Sequence, residues 1–127
     1  MTASSQGLFR FGAASRLKQS REFAQVRQEG ERLISGCLIV NLRRLRAEAP
    51  SRLGVVTSGR IGNAVTRSRA RRLLREAFRL HRGELAQPVD LVLIARASIA
   101  GKAFRDVERD FLTSLRKAGL LIRPGAT

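Results

Sequence analysis

Apolar and polar positions follow two rhythms along the chain. In SREFAQVRQE (20–29), Phe23 and Val26 fall three apart and share one face of a short helix, with Ser20 its expected N-cap and Gly30 its end. The next stretch, ERLISGCLIVNLRRL, is rich in apolar residues and reads as extended, broken at Ser35–Gly36. After the polar turn AEAPS, RLGVVTS predicts another short strand, and a helical rhythm returns from about Asn63 to Leu80. PVDLVLIARAS is the clearest strand. Pro88 suits its first position, and Leu91 to Ala95 are apolar without interruption, the pattern of a strand covered on both faces. A last helix is expected from about Ala103 to Ala118, where Phe104, Val107, Phe111, Leu115 and Ala118 keep the i, i+3, i+4 spacing and Gly119 stands at the C-cap.

The predicted order is α-β-β(-β)-α-β-α, an α+β fold in which helices cover a sheet. Nothing in the pattern repeats, and no low-complexity linker divides the chain, whose 127 residues suit one domain. Residues 1–15, rich in Ser, Ala and Gly without periodicity, read as a mobile arm. Residues 16–121 form the domain and 122–127 a tail.

Charge narrows the partner. The chain carries 25 basic and 10 acidic residues, a net +15, while 43% of it is hydrophobic. It can therefore bury a core, and its surplus charge favours a polyanion: RNA, DNA or an anionic membrane surface. No apolar run approaches the roughly 20 residues of a spanning helix. The start, MTASSQGLFRFGAASR, lacks the apolar stretch of a secretory signal, so a cytoplasmic location is expected. With one cysteine, Cys37, and one histidine, His81, an internal disulfide is excluded and a zinc site is not expected.

The segment Gly59 to Arg82, GRIGNAVTRSRARRLLREAFRLHR, holds eight arginines and one acid, Glu76. On a helical wheel Arg67, Arg71, Arg75 and Arg79 gather on one side, with Arg72 and Arg69 further round. Ala70, Leu73, Leu74, Ala77 and Leu80 take the opposite arc and are expected to face the sheet. Solvated helix faces usually mix signs, because i, i+4 ion pairs stabilise a helix. Like-charged neighbours, with several cations near the N-terminal turn, oppose helix stability unless a polyanion binds there. Arginine grips phosphate bidentately and stacks on bases, although with 22 arginines and three lysines in the chain its choice here also follows composition. Asn63 suits an N-cap, with Gly62 easing entry to the helix. Capping alone and help in holding a phosphate both fit Asn63.

A protein nuclease would need clustered carboxylates or an acid–base pair. Asp106, Glu108 and Asp110 form the sole acidic cluster, and Arg105 and Arg109 interleave them, which predicts a solvated, salt-bridged face. His81 has no catalytic partner in the sequence and reads as a surface or phosphate-contacting residue. Cys37 reads as a small core or cleft residue. No catalytic centre and no protein metal site are expected. A ribosomal or assembly RNA-binding protein and a DNA-binding regulator also fit the composition, but the latter would favour a helix-turn-helix with base-reading Asn or Gln.

The string RIGNAVTRSRARRLLREAF resembles the signature of the protein subunit of bacterial ribonuclease P: a basic residue, a hydrophobic one, Gly, a small polar or basic residue, Ala, then Arg-Asn-Arg-x-Lys-Arg-Leu-x-Arg. RLKQSREFAQVRQEG, RLGVVTS, DLVLIAR and VERDFLTSLRKAGL resemble, in order, that family's first helix, the strand before its basic helix, its last strand and its closing helix. The likeness covers roughly residues 16–121. It implies an α–β sandwich with a left-handed βαβ crossover. It also implies a protein that assists a catalytic RNA in removing the 5′ leader of precursor tRNA, with Mg2+ held mainly by the RNA and its substrate, and with no obligate protein partner. On this resemblance Arg60, Asn63, Arg67, Ser68, Arg69, Arg71, Arg72 and Arg75 contact the catalytic RNA. Arg16, Lys18, Phe23, Arg27 and Asn41 belong to a leader cleft. From spacing alone Phe23 fits a core position equally well. The chain departs from the family's usual residues at Ser68 (Asn), Ala70 (a larger aliphatic), Arg27 (often aromatic), Asn41 (often Tyr) and Gly59 (Lys). A cleft less reliant on stacking and more on charge or hydrogen bonds is the expected result.

Overall fold

The structure, a computed structural model, describes residues 16–122, so the expected arm (1–15) and residues 123–127 of the expected tail lie outside the described residues. Four strands, β1 (Glu31–Ser35), β2 (Leu38–Arg44), β3 (Arg52–Val56) and β4 (Val89–Ala95), form one mixed sheet in the order β1-β2-β4-β3. β1 and β2 make an antiparallel hairpin broken where Ser35–Gly36 predicts, β2 runs antiparallel to β4, and β3 runs parallel to β4. Parallel neighbours need a crossover, and the arginine-rich helix α2 (Ala64–His81) supplies it. Helices α1 (Ser20–Glu29) and α3 (Phe104–Lys117) complete the fold, with short 3₁₀ turns at Gly59–Ile61, Arg82–Glu84 and Ala97–Ile99.

Alternation along the strands sorts their side chains. Leu38, Val40, Leu42, Leu53, Leu91 and Leu93 point to one face and form a core with Ala70, Leu74, Ala77 and Phe78 of α2 and Val107, Phe111 and Leu115 of α3. Each such leucine or phenylalanine contributes about 1.5–3 kcal/mol by leaving water. The other face carries Val92, which packs with Leu17 and with Val26 of α1. β4 is thus buried on both sides, as its unbroken apolar run predicts.

Two boundaries and one helix facing differ from expectation. The N-cap of α1 is Gln19, one residue before Ser20. Its cause is Glu22, whose carboxylate accepts from the Gln19 and Lys18 amides at 3.0 and 2.8 Å and so satisfies the first free N–H groups. Pro88 lies just outside β4 and gives its carbonyl to the Leu45 amide at 2.9 Å. On α2, Leu80 is 47% exposed while Phe78, which the wheel sets among the arginines, is fully buried. The larger ring takes the core position. The helix rolls to admit it, which leaves Arg67, Arg71 and Arg75 half-buried.

Two buried carboxylates fix the frame. Asp90 of β4 is fully buried and accepts from Arg52 (Nε and Nη2, both 2.9 Å) and Arg43 (Nη2, 3.1 Å), its cross-strand neighbours. Arg52 also reaches Glu22 at 2.9 Å and Arg43 reaches Glu29 at 3.2 Å, so this chain of charges ties α1 across the sheet. Asp110, expected on a solvated face, is instead buried. Its Oδ2 accepts the Cys37 amide at 3.0 Å and pins the β1–β2 turn to α3. Burial, and then the neighbouring Asp110, push the Cys37 thiol up to about 12, so it is an inert core residue.

Candidate nucleic-acid interface

The entrance to α2 is built residue by residue. The Ser58 hydroxyl accepts the Arg60 amide at 3.3 Å and starts the 3₁₀ turn. Gly62 follows at φ 143°, a conformation a side chain resists. Asn63 caps the helix: its Oδ1 accepts from the Thr66 amide and hydroxyl, each at 3.0 Å. Its carbonyl oxygen is therefore committed to the cap.

The five arginines from Arg67 to Arg75 meet no acid among the described residues. Arg67 donates to the Gly62 carbonyl at 2.8 Å, Arg69 to the Lys102 carbonyl at 2.7 Å, and Arg71 to the hydroxyls of Thr57 (2.7 Å) and Ser68 (3.1 Å). Each guanidinium is thus aimed by neutral oxygens and keeps its full charge. Among the described residues, none of Arg60, Arg67, Arg69, Arg71, Arg72 and Arg75 meets a carboxylate within 4.0 Å, whereas Arg43, Arg44, Arg52, Arg79 and Arg109 all do. Burial, then the nearby Arg16 and Arg71 charges, lower the pKa of Arg75 from its ordinary value. Arg79, which the wheel places in the like-charged row, is instead held by Glu76 at 2.6 Å.

The leader-cleft candidates are brought together only in part. Arg16 and Phe23 line a concavity of about 90 Å³ with Leu17, Leu53, Gly54, Val55 and Arg75. The Phe23 ring lies over Gly54, where any Cβ would strike it, so a strand glycine makes this place possible. Phe23 is half-buried, packing on the Leu17–Val26–Val92 cluster with one side and lining the hollow with the other, which joins both readings of it. Arg75 and Arg16 meet here, so the basic face of α2 continues to the sheet. Lys18 and Arg27 are exposed and do not line the hollow. Asn41 lies in the middle of the sheet, opposite Arg32 and Val92, buried to 4% exposure.

One feature escaped the sequence. On the α1 side of the sheet Ile34, Ile39, Ile94 and Val56 are in register across all four strands, Ile34 being 52% and Val56 37% exposed. This is an open apolar platform beside Asn41. The signal lay in the alternation of β2 and β4, which sets Ile39 and Ile94 opposite the core-facing leucines, but it needed the strand register to become a row.

Comparison with known proteins gives this geometry its context. The ribonuclease P family model matches residues 11–119. The chain belongs to the ribonuclease P protein family. The ribonuclease P protein component of Syntrophomonas wolfei is 37% identical over 86% of this chain and 91% of its own, and that of Gluconacetobacter diazotrophicus 40% identical over 84% and 93%. The ribonuclease P protein of Thermotoga maritima, solved with 1-(4-fluorophenyl)-2-thiourea, superposes with a TM-score of 0.72 at 29% identity, covering 80% of this chain and 98% of that one. A Staphylococcus aureus ribonuclease P protein shares the fold at TM-score 0.76 and 23% identity, covering 85% and 98%. Membership places the chain in tRNA processing.

The departures from the family's usual residues now have places. Ser68 accepts from Arg71, Ala70 is buried against the core, and open space surrounds Gly59, so a lysine there would fit. His81, expected at the surface or against phosphate, has both ring nitrogens engaged within the protein. Its Nδ1 lies 2.7 Å from Glu84 and its Nε2 2.7 Å from Glu108, which joins the end of α2 to α3. Burial alone pulls its pKa down, but the hydrogen bonds and charges of Glu108 and Glu84 outweigh it, and the net shift is upward. The stabilisation is therefore complete below the unfolded value of about 6.5 and is lost as pH rises through the folded value. His81→Gln should lower the melting temperature by about 3–6 °C at about pH 5.5, and by clearly less at about pH 9. Thermal melts of both proteins at the two pH values measure this; an equal loss at both would contradict the charged bridge.

Proposed function

We propose that this protein is the non-catalytic subunit of a ribonucleoprotein endoribonuclease that removes the 5′ leader from precursor tRNA in the cytoplasm. In this reading α2 holds the catalytic RNA through Arg60, Asn63, Arg67, Ser68, Arg69, Arg71, Arg72 and Arg75. The observation that carries it is the set of six arginines on and before α2 that meet no acid among the described residues, although most carboxylates there pair elsewhere. Such a face supplies fixed, preoriented donors for phosphate oxygens.

The single-stranded leader runs from the Arg16–Phe23–Arg75 hollow onto the apolar platform of Ile34, Ile39, Ile94 and Val56, beside which Asn41 lies buried. Lys18 and Arg27 contribute charge from the rim. Stacking on Phe23 is worth about 1–3 kcal/mol per base, and β-branched side chains supply the rest of the floor. Among the described residues no three His, Cys, Asp or Glu side chains gather to hold a metal. In this reading the Mg2+ that supports hydrolysis is held mainly by the RNA and its substrate, and the protein's part is to bring phosphates and leader into place.

The test compares precursor tRNA with mature tRNA as ligands of a bacterial ribonuclease P RNA, with and without this protein. The protein should tighten binding of the leader-bearing form alone. Equal tightening of both would leave the leader without a site on this chain.

A further inference from the structure

The flank of α2 turned toward α3 carries a feature that phosphate binding does not use. Val65 is 77% exposed and Ala64 beside it is exposed. With Ser68, Arg69 and Arg72 they line a concavity of about 310 Å³. Arg72 also walls a second hollow, of about 370 Å³, completed by Leu73, Glu76 and the half-buried Phe104 of α3. Two apolar-floored hollows thus share one guanidinium, which makes no hydrogen bond or ion pair among the described residues. A purely electrostatic face has no use for an exposed valine. A lysine there would suit both the helix and the charge better.

We propose that these hollows seat two unstacked nucleobases of the RNA that α2 holds, one against Ala64 and Val65, the other against Leu73 and Phe104, with the Arg72 guanidinium stacked between them. The inference rests on the reading of α2 as an RNA-binding face and deepens it. Proteins read RNA chiefly at splayed-out bases, which they stack on aromatic rings and guanidinium planes. The charge of the rim favours a nucleic acid over an apolar protein segment: Arg69 and Arg72 bear no acid partner, while Glu76, the single acid lining either hollow, is held by Arg79 at 2.6 Å. The Ser68 hydroxyl accepts from Arg71 at 3.1 Å and keeps its own proton to donate to a base edge.

The experiment titrates the full chain and its variants into a bacterial ribonuclease P RNA by fluorescence anisotropy over a salt series, with circular dichroism to confirm folding. Val65→Lys adds a cation at an exposed site, so electrostatics alone predicts tighter binding and a steeper salt dependence. The proposal predicts binding about tenfold weaker, the loss of one stacked base. Phe104→Leu keeps an apolar side chain in the core but removes the ring, and should weaken binding about fivefold with the salt slope unchanged. Equal or tighter binding by Val65→Lys, or no change in Phe104→Leu, overturns the two-base site. If Arg67→Ala, Arg69→Ala and Arg71→Ala combined lowers affinity while these two variants do not, the groove alone fails. If the arginine variant also binds like the wild type, the RNA-binding reading of α2 fails and the groove falls with it.

Discussion

Replacing Arg67, Arg69 and Arg71 together by alanine is expected to weaken binding to a bacterial ribonuclease P RNA by about 10²–10³-fold near 0.2 M salt, taking about 1–1.5 kcal/mol for each charge-assisted contact. The slope of log affinity against log salt should fall by about three, one for each lost phosphate contact. Both follow from the way these guanidinium groups are held. Each is oriented by a neutral oxygen of the Gly62, Lys102, Thr57 or Ser68 groups and none is neutralised, so each enters the complex preoriented with its full charge. The triple lysine variant separates charge from geometry. It keeps the slope but cannot reproduce the bidentate fork, so its affinity should fall between the two. Anisotropy titrations over a salt series measure all three proteins; an alanine variant with the wild-type slope would mean that these side chains do not meet phosphate.

Asp90→Ala is expected to have the largest effect on stability, about 3–5 kcal/mol, because it removes the buried acceptor that two guanidinium groups share and leaves each with only its partly exposed glutamate on α1. The Asp90 side chain is fully buried and those of Arg43 and Arg52 are 23% and 28% exposed, so water recovers only part of the loss. A fall of roughly 10–20 °C in melting temperature corresponds to that range, and urea denaturation gives the free energy itself. The pairs also join the sheet to Glu22 and Glu29 of α1, so the variant should loosen α1 and with it the Phe23 ring over Gly54. A loss below about 1 kcal/mol would show that the network adds little to the frame.

The elements were legible because each carried a simple signal. The apolar run of β4 announced a strand covered twice, and Ala70, Leu74 and Ala77 gave the inner arc of α2. The roll of that helix was not legible, since a wheel ranks residues by angle and cannot weigh the large Phe78 ring against Leu80. Nor were the destinations of the acids. Asp110 and His81 found partners 73 and 27 residues away, Cys37 and Glu108, and no local pattern reports such pairs. The arginine face could be read because its signal is local and one-sided. The apolar platform could not, because it exists only once four strands have settled into register.

The most direct test of the central claim is cleavage of a precursor tRNA by a bacterial ribonuclease P RNA at low Mg2+, with and without this protein. Little cleavage is expected from the RNA alone and accurate 5′ cleavage once the protein is added, with the Arg67, Arg69 and Arg71 alanine variant failing at subsaturating concentration. A protein that binds the RNA but never restores cleavage would contradict the account, as would cleavage by the protein in the absence of any RNA subunit.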